Sequence, residues 1–336
     1  MSGAAAATCD QSGMPQSVRR AATLTGCQEL VNVSQWAAAM SVPELARLAV
    51  RAQLAQLREH EPGVRQGDSP ESVHRMRVAS RRLRAILRVV KQALPPSTAE
   101  LPGELRWLAR ALGEVRDADV ELGKLYELAS QVGAQPAELE PVLGSFRARR
   151  AQADTRLQAA LDAPRFALLL TGLEELAEQA WPDTEAPSAE SVARRSYKRL
   201  RKAGGKPLKA QAAAEDLHRT RVQAKQMRYT LELLVDVYGT AASRLIKRAT
   251  RLQDTLGQVQ DATVLEQHLR EARTSDGSSS AASVFLLGQL TEACNARGRA
   301  ARARAPRAYR RLTGRAWKRL KAEKDLTQCS PAVNVP

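Results

Sequence analysis

The sequence predicts an all-α protein made of two copies of one helical unit, and three observations carry that prediction. No segment alternates apolar and polar residues as a half-buried strand does; Ala, Leu, Arg, Glu and Gln, all good helix formers, dominate. The pattern His74-x-x-Arg77-Val78-x-x-Arg81-x-x-Arg84 returns 144 residues later as His218-x-x-Arg221-Val222-x-x-Lys225-x-x-Arg228. Leu112-Gly113-x-Val115-x-Asp117 returns at the same offset as Leu256-Gly257-x-Val259-x-Asp261. Two landmarks sharing one offset are the signature of a tandem duplication.

Taken in order, residues 1–40 are rich in Ala, Ser, Thr and Gln without a sustained period and read as mostly disordered, with a short helix around Trp36. From Pro43, a residue suited to a first helical turn, Leu45, Leu48, Leu54 and Leu57 mark a first helix to about Glu59, followed by a loop from Glu61 to Asp68. Ser69-Pro70-Glu71 offers a cap, a proline at the first position and an acid at the positive helix end. The second helix therefore runs from there to about Ala93, and Pro95-Pro96 stop it. A third covers Leu101 to Ser130, with Leu105, Leu108, Leu112, Val115, Leu122 and Leu125 as its apolar positions. A fourth runs from Glu138 to Leu161 and a fifth from Arg165 to Ala180. A linker at Trp181 to Ser188 separates a first half, 41–181, from a second, 188–325. The second half repeats the order: Val192 to Ala203, a break at Gly204-Gly205-Lys206-Pro207, Ala210 to Tyr238, Ala241 to Glu271, a polar loop, Ala281 to Arg304, and Pro306 to Lys324. The tail, 326–336, reads as frayed. Ala163 and Leu170 match Ala305 and Leu312 at an offset of 142, so the duplication reaches the end of each half with a two-residue slip. Each half is expected to be an antiparallel helix bundle with short connections.

The second helix organises the chain. At 100° per residue, His74, Arg77, Arg81, Arg84 and Arg88 fall within about a quarter-turn, and Met76, Ala79, Leu83, Leu87 and Val90 lie opposite. Seven Lys/Arg and no acid lie between His74 and Lys91. A solvated face normally mixes signs because like charges one turn apart repel, so a one-sign stripe points to an anionic partner. The stripe runs about 21 Å from His74 to Arg88, which suits a linear anion or several phosphates, and arginine forks match phosphate oxygens. Further cations sit on the third helices, Arg106, Arg110 and Arg116 in one half and Arg244, Lys247 and Arg251 in the other. From Arg297 to Lys321 there are eleven Lys/Arg and no acid.

Composition sets the partner class. The 336 residues carry 52 Lys/Arg against 36 Asp/Glu, a formal charge of +16. A polyanion or an anionic surface is the first partner such an imbalance suggests. Aromatic residues are only 4%, which counts against a single-strand nucleic-acid binder that stacks bases. Cys9, Cys27, Cys294 and Cys329 lack metal spacing and read as free thiols in a reducing cytoplasm. No apolar run approaches a membrane span and residues 1–40 lack signal-peptide order, so a cytoplasmic protein without membrane insertion is expected.

His74 and His218 have no His, Cys or acid at +3 or +4, which argues against a metal site, and contact with phosphate is the expected shared role. Neighbouring arginines should lower their pKa and bound phosphate raise it, so binding is expected to tighten below about pH 6.5. Asp117 and Asp261 are read as holding an arginine or capping a helix break after Gly113 and Gly257. The rival reading, a metal-dependent phosphohydrolase using both aspartates, lacks a recurrent acidic partner, since Asp119 faces Thr263. No nucleophile elbow, phosphate-binding glycine loop or HExxH pattern is present. A binding protein without catalysis, cofactor or metal is expected.

The doubled His-x-x-Arg-Val-x-x-Arg/Lys-x-x-Arg helix followed by Leu-Gly-x-Val-x-Asp resembles the CHAD domain, the conserved histidine α-helical domain, over about residues 41–325. That resemblance implies two pseudo-symmetric antiparallel four-helix bundles around a basic central cavity. It implies binding of inorganic polyphosphate and association with polyphosphate granules and their proteins. A nucleic-acid binder is the rival reading, against which stand the scarce aromatics and the absence of a recognition-helix motif. By position, the implied contacts are His74, Arg77, Arg81, Arg84 and Arg88, with His218, Arg221, Lys225 and Arg228, and as an extension Arg106, Arg110, Lys247 and Arg251. Two departures weaken the second stripe: Gln226 stands where a second base is common, and Glu232 replaces Arg88. The Glu-x-Glu-x-Lys strand of a fused triphosphate-tunnel domain is absent, so no catalysis carries over.

Overall fold

In a computed structural model, the structure describes residues 40–67, 69–181, 187–205, 208, 212–275 and 281–314, with Trp317 and Leu320. The readings made for 1–39 and for the tail lie outside these residues. The chain divides into a unit ending at Met40 and a unit from Ser41 onward, and all the helices described belong to the second.

Among the described residues every long element is helical. The helices are α1 (Val42–Gln66), α2 (Pro70–Val89), α3 (Leu101–Gln131), α4 (Pro136–Asp162), α5 (Pro164–Glu178), α6 (Ala189–Gly204), α7 (Ala214–Leu233), α8 (Val235–Ser275) and α9 (Ala281–Thr313). Short 3₁₀ turns at Lys91–Ala93 and Pro96–Thr98 join α2 to α3. The start signals operate as expected. Ser41 and Glu44 form a capping box on α1, and the Ser69 hydroxyl accepts from the Glu71 amide at 3.1 Å on α2.

Several boundaries differ from the sequence reading, and prolines explain most of them. The expected loop after Glu61 is helical to Gln66, because Pro62 sits on an exposed face of α1, where water can hydrate the freed carbonyl. Gly67 ends the helix at φ 73°, a left-handed cap. Pro306 does not start a fifth helix in the second half but lies inside α9, whereas its counterpart Pro164 starts α5 after an extended Ala163. The second and third helices of the second half meet at Gly239, whose φ of 50° and ψ of −129° break the path inside α8.

Packing follows the two halves and then joins them. In the first, α2 packs between α1 and α3, and in the second α7 packs between α6 and α8. The apolar face of α2 is buried as its period requires, with Met76, Ala79, Leu83, Leu87 and Val90 all at most 1% exposed. Each fully buried Leu or Met contributes about 1.5–3 kcal/mol over exposure. The halves also share a core. Leu125 and Leu128 of α3 and Leu139 and Phe146 of α4 pack into one cluster with Leu265 and Leu269 of α8 and Leu286 and Leu290 of α9. Away from that cluster, α2 lies against α7.

Candidate functional site

Where α2 meets α7, their polar faces and those of α3 and α8 enclose a cavity of about 440 Å³. The same period that buries Leu83 and Leu87 turns Arg77, Arg81, Arg84 and Arg88 of α2 into it. His218, Arg221 and Lys225 enter from α7, Asp117, Glu121 and Lys124 from α3, and Gln260 and Asp261 from α8. Seven Lys/Arg side chains face three carboxylates.

The two repeated motifs form one structural unit, built twice. A Cβ on Gly113 would meet Arg77 Nε at 3.5 Å, and a Cβ on Gly257 would meet Arg221 Nη2 at 3.4 Å. The glycine of each Leu-Gly-x-Val-x-Asp motif is thus the surface on which the arginine of the preceding helix lies. In the first unit Arg77 Nη2 donates to Asp117 Oδ1 at 2.9 Å, which matches the reading of Asp117 as an arginine holder. The second unit departs: Arg221 Nη1 donates to Gln260 Oε1 at 3.0 Å, and His218 Nδ1 lies 3.1 Å from the same oxygen. Asp261 instead accepts from Lys124 of the other half at 2.5 Å. Glu121 Oε2 returns the crossing, 2.7 Å from His268 Nδ1. Lys124 and His268 stand at matching places in the duplication, so α3 and α8 are tied by two reciprocal contacts.

Electrostatics inside the cavity are strained in one direction. Burial, and then Arg81, push the Arg77 guanidinium below its ordinary range, with Asp117 opposing. Burial also lowers Arg221, and Arg84 is lowered by burial and then by Arg106, Arg88 and Arg81. Lys225 is affected most: burial, followed by Arg81, Arg221 and Arg77, brings its ammonium down to about 6. Each effect disfavours the charged form of a cation, and each would be relieved by an anion placed among them. His74 lies outside the cavity. Its pKa is lowered by burial first and by Arg116 next, so neighbouring arginines are the smaller cause.

The structure therefore brings together Arg77, Arg81, Arg84, Arg88, His218, Arg221 and Lys225, and leaves the other sequence-derived candidates outside the lining. Arg106 and Arg110 are exposed on α3, and Lys247 and Arg251 are exposed on α8. Arg228 turns away: its guanidinium sits 4.6 Å from the Tyr229 ring centroid and pairs with Glu232 at 3.3 Å. Glu232 also contacts Arg82 of α2 at 3.2 Å, so the residue that replaces a cation in the second stripe bridges α7 to the first. The candidates drawn from sequence omit Lys124, Glu121, Tyr229 and Gln260. Lys124 follows Asp117 by seven residues, the spacing that returns a helix to the same face, and Gln260 directly precedes Asp261. Among the described residues no three His, Cys, Asp or Glu side chains gather to hold a metal ion, and no helix is long and apolar enough to cross a membrane.

Comparison with known proteins identifies the family. Residues 48–270 match the family model of the CHAD domain. Uncharacterised proteins from two strains of Mycobacterium tuberculosis, CDC 1551 / Oshkosh and ATCC 25618 / H37Rv, are each 32% identical over 235 residues. That match covers 66% of this chain and 44% of each relative, so the chain spans less than half the length of the curated relatives it matches. Among solved structures, the CHAD domain from the plant Ricinus communis aligns with a TM-score of 0.61 at 26% identity, covering 81% of this chain and 92% of that one. PptA from Streptomyces chartreusis aligns with a TM-score of 0.67 at 18% identity, covering 81% and 100%, a likeness of fold alone.

Proposed function

The chain belongs to the CHAD domain family, and we propose that it binds inorganic polyphosphate in the cavity between α2, α3, α7 and α8. The observation that carries this reading is the twice-built unit of arginine on glycine, which points Arg77 and Arg221 into one cavity with Arg81 and Lys225. These cations depress one another and lack enough carboxylates to balance them, so the site gains most from a ligand of high negative charge density. In this reading the two halves are pseudo-symmetric bundles around the basic cavity, and Arg84 and Arg88 continue the track along α2.

Size favours a single anionic chain. The cavity of about 440 Å³ lies between four helices, and a single anionic chain needs less width there than a duplex, whose major groove alone is about 12 Å wide. Tyr229 is the one aromatic side chain in the lining, and the Arg228 guanidinium lies 4.6 Å from its ring centroid, so the cavity offers no free stacking platform. Asp117 and Asp261 are engaged by Arg77 and Lys124, which supports a binding role without chemistry of its own over a phosphohydrolase. Residence in the cytoplasm, at polyphosphate granules, follows from the ligand.

The test is binding of long-chain polyphosphate at near-physiological salt, with wild type beside a His74→Ala, Arg77→Ala, Arg81→Ala variant of unchanged helicity. Loss of binding in the folded variant supports the site, and unchanged binding overturns it. Release of orthophosphate by the wild type with a divalent metal would move the enzyme reading ahead.

A further inference from the structure

We infer that the outer face formed by α6 and the C-terminal half of α9 is a second polyanion site, separate from the cavity, and that it takes the phosphate backbone of duplex nucleic acid. The two helices run antiparallel and in contact. Tyr197 of α6 donates to the Thr313 carbonyl at 2.7 Å, and one turn further along α6 Tyr309 donates to the Arg201 carbonyl at 3.4 Å. The approach is close enough that a Cβ on Gly204 would collide with the Tyr309 ring, and the Tyr197 and Trp317 rings stack at 4.1 Å.

With one side of each helix committed to this contact and the core, the other side carries cations. Arg194, Arg195, Lys198, Arg199 and Lys202 are exposed on α6, over an arc of about 140°. Arg307, Arg310 and Arg311 are exposed on α9. On each helix the basic arc lies away from the buried flank, which is Val192, Ala193, Leu200 and Gly204 on α6 and Ala301, Ala305 and Tyr309 on α9. None of these eight side chains meets a carboxylate among the described residues, and α9 from Arg297 to Thr313 contains no acid. Some exposed arginines elsewhere are paired, as Arg58 is with Glu174 and Arg165 with Glu104, whereas Arg106, Arg110 and Arg251 stand singly on their helices rather than in a two-helix cluster.

The shape of this face selects the partner. The cavity is a recess lined by four other helices; this face is two helices wide, with neighbouring axes about 8–10 Å apart. Cations spread over that width can reach both strands of a duplex, whereas a single polyphosphate chain would engage only one row. A membrane surface is the poorer fit, because peripheral helices insert apolar side chains beside their cations. The exposed large apolar residues of the described structure, Leu48, Tyr126, Leu168, Val284 and Phe285, all lie outside this face.

The experiment uses the full chain and a labelled duplex of random sequence, titrated over a range of salt, with long-chain polyphosphate and phosphatidylserine vesicles in parallel. An Arg194→Ala, Lys198→Ala, Lys202→Ala variant should lose duplex binding, with a log–log salt slope shallower by about three, and keep polyphosphate. An Arg195→Ala, Arg199→Ala, Arg310→Ala variant should do the same if the first fails to fold. An Arg77→Ala, Arg221→Ala variant should keep the duplex, and wild type should hold both ligands at once. Duplex binding lost through the cavity variant, displaced by polyphosphate, or replaced by vesicle binding on the α6 face would overturn the inference. If polyphosphate fails to bind while the duplex arm behaves as stated, the cavity reading falls and this one stands.

Discussion

Arg77 and Gly113 are paired across two helices: the Arg77 guanidinium occupies the space over Gly113, where a Cβ would meet Nε at 3.5 Å and Nη2 at 3.7 Å. The same pairing recurs between Arg221 and Gly257. These are ordinary contact distances, so alanine fits and a longer side chain does not. Gly113→Ala should stabilise the fold by about 0.5–1 kcal/mol, from helix propensity alone, and leave polyphosphate affinity within about twofold. Gly113→Leu should push the guanidinium aside and weaken binding roughly tenfold, or about 1.4 kcal/mol. Thermal melts and titrations of the two variants check both statements, and equal binding by Ala and Leu would refute the role of the glycine.

Lys225 should make polyphosphate binding depend on pH. Its ammonium is held down to about 6 in the free protein, and an anion among Arg77, Arg81 and Arg221 raises it, so binding takes up a proton above pH 6. Affinity should fall as pH rises from 6 toward 8, by at most about tenfold per unit, and level off below 6. For the free protein, the unfolded chain, with an ordinary lysine near 10.4, binds more protons than the folded one between about 6 and 10.4. This group therefore makes stability rise with pH across that window. Calorimetry in buffers of different ionisation enthalpy measures the uptake, and Lys225→Met should abolish it.

Glu232 restrains the second stripe. It holds Arg228 at 3.3 Å and touches Arg82 across the α2–α7 contact at 3.2 Å. Glu232→Gln should free two guanidinium groups beside the cavity and strengthen polyphosphate binding severalfold with a steeper salt dependence. Stability should change by no more than about 1 kcal/mol, because the pair is partly exposed. A shallower salt slope would show that the carboxylate orders the site instead.

The shared core should make the halves unfold together. Phe146 is 2% exposed and packs with residues of α3, α8 and α9. Phe146→Ala should cost about 3–5 kcal/mol and lower the protection of α2 and α7 amides by the same amount in hydrogen exchange. Protection lost in the first half alone would mean that the halves are separate folding units.

Much of the site is legible in the sequence because the helix period is local. The spacing of Met76, Ala79, Leu83 and Leu87 fixes which side of α2 is buried, and so which side carries Arg77, Arg81, Arg84 and Arg88. The duplication likewise makes His218, Arg221 and Lys225 visible as a second set. Arg228 departs from its expected place because Tyr229 and Glu232, one and four residues on, engage it, and Glu232 is itself held from the other half of the chain by Arg82. Arg106, Arg110, Lys247 and Arg251 lie on the helices that carry the Leu-Gly motifs but are exposed outside the cavity lining, with Arg106 near enough to act on Arg84. Prolines 62 and 306 look like breaks in the sequence because their cost depends on whether the freed carbonyl meets solvent, which composition does not reveal.

By itself, then, the sequence determined the helices, the duplication, the buried face of each helix and the one-sign stripe opposite the buried face of α2, all of which follow from residues a few positions apart or from the repeat itself. Tertiary structure alone decided that Gly113 and Gly257 seat the arginines and that Lys124 and Asp261 pair between halves. It also decided that Lys225 sits deep enough among other cations to lose its proton near pH 6. Those outcomes depend on how four helices cross. Crossing brings together residues more than a hundred positions apart, and desolvation acts on them only once water has been excluded.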